Sequence, residues 1–269
     1  MKPLIINKKA YSFKTSWEEL TPKEIRMVAF ALSNSLTDDK LQTDYAVRIQ
    51  LFKVVTNVPL KIIGAITSVQ WADILPHMNW LFEAQRMKEN PFPTIRIGFT
   101  RLYGPIGGSM TTSSALEFTT ADEFFMRYIK TKEPEMLYLM AATLWRSKKW
   151  FVLFHRIFGD WKGDKRRSLN EINIKKRADK LRRKMGKDYL TFIFLYYRSF
   201  RQFHFAENPK FASLFKGKTY SKTTDFGWHG SLVDFSGGAF GDYKHTSLVK
   251  WKLFVMAMVK EVEQANPED

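Results

Sequence analysis

Five histidines, His77, His155, His204, His229 and His245, are the residues of this chain best suited to move a proton near neutral pH. No two stand three or four positions apart, the spacing that would set two rings over one metal ion on a helix face, and no carboxylate cluster accompanies any of them. His229 lies with Asp225 and Asp242 in a glycine-rich stretch and is the nearest approach to an acid–base centre. Asp225-Phe226-Gly227 matches a kinase magnesium tripeptide, but no Gly-rich loop or catalytic-loop motif precedes it. Gly104-Pro105-Ile106-Gly107-Gly108-Ser109 could turn backbone amides toward a phosphate. It lacks the Gly-Lys-Ser/Thr ending of a nucleotide loop and reads as a turn. Asp160 and Asp164 flank Trp161 and Lys162, where dense positive charge favours ion pairing over cation binding. Cysteine is absent, so disulfides, thiolate zinc sites and thiol catalysis are excluded. No motif calls for a cofactor or metal, and the expectation is a protein that is not an enzyme.

The charge pattern is more informative. Sixteen of the 43 Lys and Arg lie between Arg146 and Lys187, against Asp160, Asp164, Glu171 and Asp179, so the stretch holds a formal +12 of the chain's +16. Such concentration is better tolerated beside something acidic. Aromatic residues interleave it: Trp145, Trp150, Phe151, Phe154, Phe158 and Trp161. Cations neutralise phosphates while aromatic faces stack on bases. The candidate contact residues are therefore Lys148, Lys149, Arg156, Lys162, Lys165, Arg166, Arg167, Lys175, Lys176, Arg177, Arg182, Arg183 and Lys184, together with Trp150 and Trp161. An acidic protein surface and a nucleic acid bound without sequence preference both fit. Against them stands a plainer reading: Trp150, Phe154 and Phe158 fall at helical spacing, as on a core-facing helix whose cations are solvated.

The elements that must position these residues are mostly helical. Leu4-Ile5-Ile6 and Tyr11-x-Phe13 predict two short strands around a turn. Thr21-Pro22-Lys23-Glu24 is a capping box with proline at the first helical position, and Ile25, Val28, Ala29 and Leu32 continue the helix to about Ser33. Helices are expected over Asp44–Val55 and over Trp71–Met87 despite Pro76. Ile95, Ile97 and Phe99 alternate with polar residues and predict a strand near 94–101. Thr120 and Glu123 suggest a second capping box, and the helix from Pro134 should complete an αα-hairpin. A basic helix from Asn170 to Met185 carries Ile174, Ala178, Leu181 and Met185 on one stripe, with Gly186 as its C-terminal cap. Tyr189–Phe205 reads as a buried helix, residues 216–245 as a glycine-rich loop or short strands, and Thr246–Gln264 as a closing amphipathic helix.

The fold class expected is mainly α, a multi-helix globular domain with a minor β element, spanning 1–269 as one domain or divided into 1–145 and 146–269. At 45% hydrophobic and 15% aromatic residues, the chain can bury a core. No secretory signal is visible near Met1. Arg198 and Arg201 interrupt the most apolar segment, which falls short of the ~20 residues a membrane span requires, so no membrane is expected.

Several fragments carry a family likeness: Thr15-Ser16-Trp17-Glu18-Glu19-Leu20-Thr21-Pro22, the Trp71, Pro76 and Phe82 segment, and Glu117-Phe118-Thr119-Thr120-Ala121-Asp122-Glu123-Phe124-Phe125-Met126-Arg127-Tyr128. Leu139-Met140-Ala141-Ala142-Thr143-Leu144-Trp145, Gly163-Asp164-Lys165-Arg166 and Gly227-Trp228 extend it. Together they resemble a tail-gene-region protein family of tailed bacteriophages and prophages of Bacteroidetes-type hosts. The resemblance implies a role in virion assembly or structure, including tail-assembly chaperone duty, and no catalytic residues. It implies other phage structural proteins as partners, and a place in the host cytoplasm during assembly or in the virion. The high positive charge departs from an ordinary chaperone.

Overall fold

The structure, a computed structural model, describes residues 2–6, 9–33, 45–82, 90–105, 110, 113–149, 157, 164–167, 169–207, 232–233, 236 and 241–265. The fold is mainly α with a minor β element: the described residues form ten α-helices and five short strands, the strands in two antiparallel sheets. The chain divides into two compact units, residues 1–88 with 186–202 and residues 89–185 with 203–269. The division does not fall at 145 and 146, since Trp145 and Arg146 both belong to the second unit.

The first unit opens with the expected hairpin, β1 (Lys2–Ile6) against β2 (Lys9–Phe13), with Leu4 opposite Tyr11. α1 (Pro22–Leu32) starts at the expected box: the Glu24 amide donates to the Thr21 hydroxyl, and the Glu24 carboxylate accepts from the Thr21 amide at 2.8 Å. α2 (Tyr45–Thr56) follows, and α3 (Leu60–Ile63) is a single turn. α4 (Ser68–Ile74) starts three residues before Trp71 because Thr67 and Gln70 form a capping box that sequence reading passed over. Pro76 has no N–H to give, and from Leu75 to Leu81 the backbone tightens into a 3₁₀ helix instead of continuing as α. Residues 83–87, expected as the end of that helix, lie outside the described residues. Phe52 packs edge-on against Trp71, and Trp17 against Trp80. Arg26 of α1 pairs with Asp188 at 2.7 Å and lies 4.3 Å over the Tyr189 ring, at the start of the helix Lys187–Glu207, which belongs to this unit as far as Gln202. That helix buries Leu190, Phe192, Ile193, Tyr196, Tyr197 and Phe200, as its apolar run requires.

In the second unit the single strand expected near 94–101 is a hairpin. β3 (Thr94–Ile97) turns through Gly98 and Phe99 into β4 (Thr100–Tyr103). Gly98 has φ 58°, so it supplies the left-handed step that reverses the chain, and Phe99 leaves the inward alternation of Ile95 and Ile97. α5 (Ala115–Thr131) is capped by Ser114 rather than Thr120; Thr120 and Glu123 are interior, and Glu123 pairs with Arg127 one turn on. Lys132, at φ 59°, ends α5 and passes the chain to α6 (Pro134–Leu144), which completes the expected αα-hairpin.

α7 (Glu171–Lys184) packs on α6 through Ile174, Ala178, Leu181 and Met185, all buried. Asn170 caps it, accepting from the Ile172 and Asn173 amides. Its C-terminus is formed by Met185 in extended backbone, so Gly186 does not serve as the left-handed cap expected of it. The helix Lys187–Glu207 is α8. The closing helix is broken in two: α9 (Tyr243–Leu248) and α10 (Trp251–Ala265), with Val249 and Lys250 between them. Trp251 anchors α10 to α5. Its ring stacks on Phe118 at 4.8 Å, its indole N–H donates to the Met110 carbonyl at 2.7 Å, and its amide donates to the Ser113 carbonyl.

Candidate functional site

α6 ends at Leu144, Trp145 turns into extended backbone, and β5 (Arg146–Ser147) pairs with β4, placing Arg146 opposite Tyr103 and Ser147 opposite Leu102. The ladder continues on the far side. Lys148 bridges Arg166, the Lys149 amide donates to the Lys165 carbonyl at 2.8 Å, and the Arg167 amide donates to the Ser147 carbonyl at 2.9 Å. The two ends of the basic stretch's first part are thereby zipped together. The candidates Trp150, Arg156, Trp161 and Lys162 lie outside the described residues, as do His229 and Asp225.

Inside this ladder sits a closed network of charge. Glu117, in the first turn of α5, accepts from Arg166 Nη1 at 2.6 Å and Nη2 at 2.8 Å, and its second oxygen also accepts from Arg146 Nη2 at 2.9 Å. Asp164 accepts from Arg146 Nη2 at 3.1 Å and from Arg166 Nε and Nη2. Arg166 Nη1 also donates to the Leu144 carbonyl, and Arg146 Nη1 to the Arg167 carbonyl. Two guanidinium groups and two carboxylates balance to zero. Arg166 and Glu117 are 1% exposed.

Arg166 is therefore no part of an outer contact face. The basic, aromatic-interleaved run predicts Arg166 on a partner-contacting face, and the structure turns it inward onto a carboxylate. Burial is the largest influence on its pKa and pushes it down, yet the Glu117 charge and the Asp164 hydrogen bond more than reverse this, so the net shift is upward. For Arg146 burial prevails over Glu117 and Asp164, with Arg166 adding to the fall. For Asp164 burial would raise the carboxyl, but hydrogen bonds and charge from Arg166 and Arg146 hold it below the usual range. Arg177 is half-buried as well: its Nε donates to the Ala142 carbonyl at 3.0 Å, and burial with repulsion from Arg146 and Arg167 lowers its pKa to about 10. It caps the end of α6 and is likewise withdrawn from the free face.

Glu117 was not singled out from sequence, although a signal was present. It lies in register with Ala121, Phe125 and Tyr128 on the buried stripe of α5. A carboxylate on an apolar stripe needs a buried counter-charge. Gly104 was read as a turn residue, and its requirement is tighter than that. A Cβ there would stand 2.6 Å from the Trp145 indole nitrogen and 2.7 Å from Asn90 Nδ2. The close approach lets Trp145 donate to the Phe92 carbonyl at 3.1 Å and lock β3–β4 to the start of β5.

With Arg146, Arg166 and Arg177 turned inward, the remaining described candidates can be placed. Lys148, Lys165, Arg167, Lys175, Lys176, Arg182, Arg183 and Lys184 are exposed and Lys149 is half-buried. Arg182 is committed to Asp179 and, at 3.6 Å, to Glu135, while Lys165 Nζ lies 4.9 Å over the Tyr103 ring. Three residues outside the expected set join this surface: Arg96, Arg101 and, on α7, Lys180. Arg96 and Arg101 are exposed and sit directly opposite each other across β3 and β4. Continuing the β4–β5 register by one residue sets Lys148 opposite Arg101, so three cations share one cross-strand row. A second row follows α7, where Lys176, Lys180 and Lys184 are spaced at i, i+4 and i+8. Lys180 donates to the Thr100 hydroxyl at 2.6 Å, and Lys184 Nζ lies 3.7 Å from the Cβ position of Gly98.

No carboxylate pairs with Arg96, Arg101, Lys148, Lys176 or Lys184 among the described residues. Like charges directly opposite on a sheet cost about 0.2–1 kcal/mol per pair, and like charges at i, i+4 about 0.2–0.5. Against that repulsion the fold gains two hydrogen bonds, Lys180 to the Thr100 hydroxyl and Arg96 Nε to the Gly98 carbonyl at 3.3 Å, and no ion pair to Arg101, Lys148, Lys176 or Lys184 among the described residues.

Among the described residues, no three His, Asp or Glu side chains group as metal ligands, and no helix is long and apolar enough to cross a membrane. Asp242 caps α9 and accepts from the His245 amide and ring, so its part in the structure is a helix cap. No protein-family model, curated protein or solved structure matches this chain.

Proposed function

We propose that this protein is a non-enzymatic bacteriophage virion assembly or structural protein, a tail or connector module, which holds an acidic partner on the cationic surface of its second unit. The observation that carries the reading is a contrast between two sets of cations. Arg146 and Arg166 are matched in charge by Glu117 and Asp164, whereas Arg96, Arg101, Lys148, Lys176 and Lys184 are exposed and meet no carboxylate among the described residues. A chain that neutralises its buried arginines and leaves like charges aligned outside is arranged to meet charge of opposite sign. The buried Glu117 and the half-buried Asp164 are both held by arginine donors, which suits a structural role and not an acid or base. The resemblance to phage tail-gene-region proteins supplies the setting: an acidic face of another phage structural protein, met in the host cytoplasm during assembly or kept in the virion.

The test uses the full chain and polyglutamate as a stand-in for an acidic protein face. Binding is expected at ~50 mM salt and should weaken when Lys176, Arg183 and Lys184 are replaced by Gln. Failure of the unmodified chain to bind polyglutamate would refute the reading. A nucleic acid is the second reading, and one residue of the β3–β4 turn favours it.

A further inference from the structure

We infer that the tip of the β3–β4 hairpin is a contact site for single-stranded nucleic acid, in which the Phe99 ring stacks on a base while Arg96, Arg101, Lys180 and Lys184 take the neighbouring phosphates. The inference rests on reading this surface as one that binds polyanions, and it names the partner chemistry at one end of it.

Phe99 is 102% exposed, so its ring touches nothing that the fold needs. The turn does not ask for it. Gly98 meets the left-handed requirement at the first central position, and the second accepts almost any residue, most often a polar one. The buried side of the hairpin is filled by Ile95, Ile97 and Leu102, so Phe99 is not a core residue left over. The residues on either side of Phe99 are met by cations: Lys184 lies close to Gly98, Arg96 Nε donates to the Gly98 carbonyl, Lys180 donates to Thr100, and Arg101 stands opposite Arg96. An aromatic ring that does not serve the core and cations that repel one another share a single tip.

The ligand must supply both a flat apolar face and repeated negative charge. A nucleotide carries both in one unit, and its base is free to stack only when the strand is unpaired. An acidic protein face would satisfy the cations but would need a separate apolar pocket for the ring. A membrane would call for more than one inserted side chain, and on this hairpin Phe99 alone is an exposed apolar residue. Beside the Arg96–Arg101 pair, Lys148 stands one residue past the last β4–β5 pair, Leu102 with Ser147, at the Arg101 end of that ladder. Cations in succession suit a chain of phosphates.

The experiment measures binding of the full chain to single-stranded oligo(dT), a matched duplex, polyglutamate and phosphatidylserine vesicles at ~50 mM salt. Oligo(dT) should bind more tightly than duplex. Phe99→Ala and Phe99→Leu should each weaken it on the order of ten-fold, Phe99→Trp should keep it, and none of the three should alter polyglutamate binding. Phe99 is fully exposed, so these variants should melt like the parent. Binding of oligo(dT) that ignores Phe99→Ala overturns the inference, as does full retention by Phe99→Leu, which would mark simple apolar burial. Phe99-dependent binding to vesicles alone overturns it too. If polyglutamate binds and oligo(dT) does not, the inference falls and the proposed function stands; if neither binds, both fall.

Discussion

Glu117 receives both terminal nitrogens of Arg166, at 2.6 and 2.8 Å, in the interior of the second unit. This side-by-side pair ties the first turn of α5 to the strand-like segment at Asp164–Arg167, and Arg146 joins it from β5. The densest positive charge in the chain therefore has two fates. One portion is structural cement, and the rest faces outward.

Removing the shared acceptor should be costly. Glu117→Gln leaves two buried guanidinium groups sharing Asp164 as their one remaining carboxylate among the described residues, and loss of one member of a buried pair destabilises by about 3–5 kcal/mol. Urea unfolding should show this as a large fall in midpoint. Arg166→Lys should also destabilise, because an ammonium cannot span both carboxylate oxygens. A change below about 1 kcal/mol for Glu117→Gln would mean the network does not hold the fold.

Acid should weaken the same network through Asp164. Its folded pKa lies below its unfolded value, so its contribution is complete above the unfolded carboxylate range, about 3.9, and is lost as pH falls through the folded value. Urea midpoints measured from pH 7 down to pH 3 should fall more steeply for the parent chain than for Asp164→Asn, with the difference appearing below about pH 4. Parallel curves would rule Asp164 out as a contributor.

Gly104→Ala should destabilise by about 1–3 kcal/mol, since its Cβ would meet the Trp145 indole and the Asn90 amide at less than 3 Å. Thermal melting together with tryptophan fluorescence would follow both the stability loss and the displaced ring. An unchanged melt and emission would show that this approach is slack.

How far the fold and the site could be read in advance differs by element, for physical reasons. α1 was legible because Thr21, Pro22 and Glu24 are local signals whose partners lie within one turn. The stripe Ile174, Ala178, Leu181 and Met185 was legible because helical spacing alone decides which side of α7 is buried. The β3–β4 hairpin was missed because Phe99 continues the alternation of Ile95 and Ile97, and only the conformational freedom of Gly98 breaks it. The inward turn of Arg146 and Arg166 was missed for a different reason. Glu117 is 29 and 49 residues away from them in sequence, and no local pattern announces a pairing at that range. The exposed surface was half legible: Lys176 and Lys184 were expected on it, Arg96 and Arg101 were not.

Opposed charges on a surface that serves binding should trade stability for affinity. Arg96 Nε donates to the Gly98 carbonyl, so the cleaner change is across the pair: Arg101→Gln removes repulsion between the strands and should raise stability by about 0.2–1 kcal/mol, while weakening polyanion binding. Differential scanning calorimetry and a binding isotherm on the same variant would check both halves. A stability loss would mean Arg101 serves the hairpin and not a partner.

The most direct measurement is the salt dependence of oligo(dT) binding by the parent chain and by Arg96→Gln/Arg101→Gln/Lys148→Gln. Each phosphate contact to a single strand contributes about 0.7 to the slope of log K against log salt. The triple variant should keep its cooperative melt and show a slope shallower by about 2. An identical slope in a folded triple variant, or no binding of oligo(dT) or polyglutamate by the parent chain at ~50 mM salt, would contradict the assignment of these outward cations to a polyanionic partner.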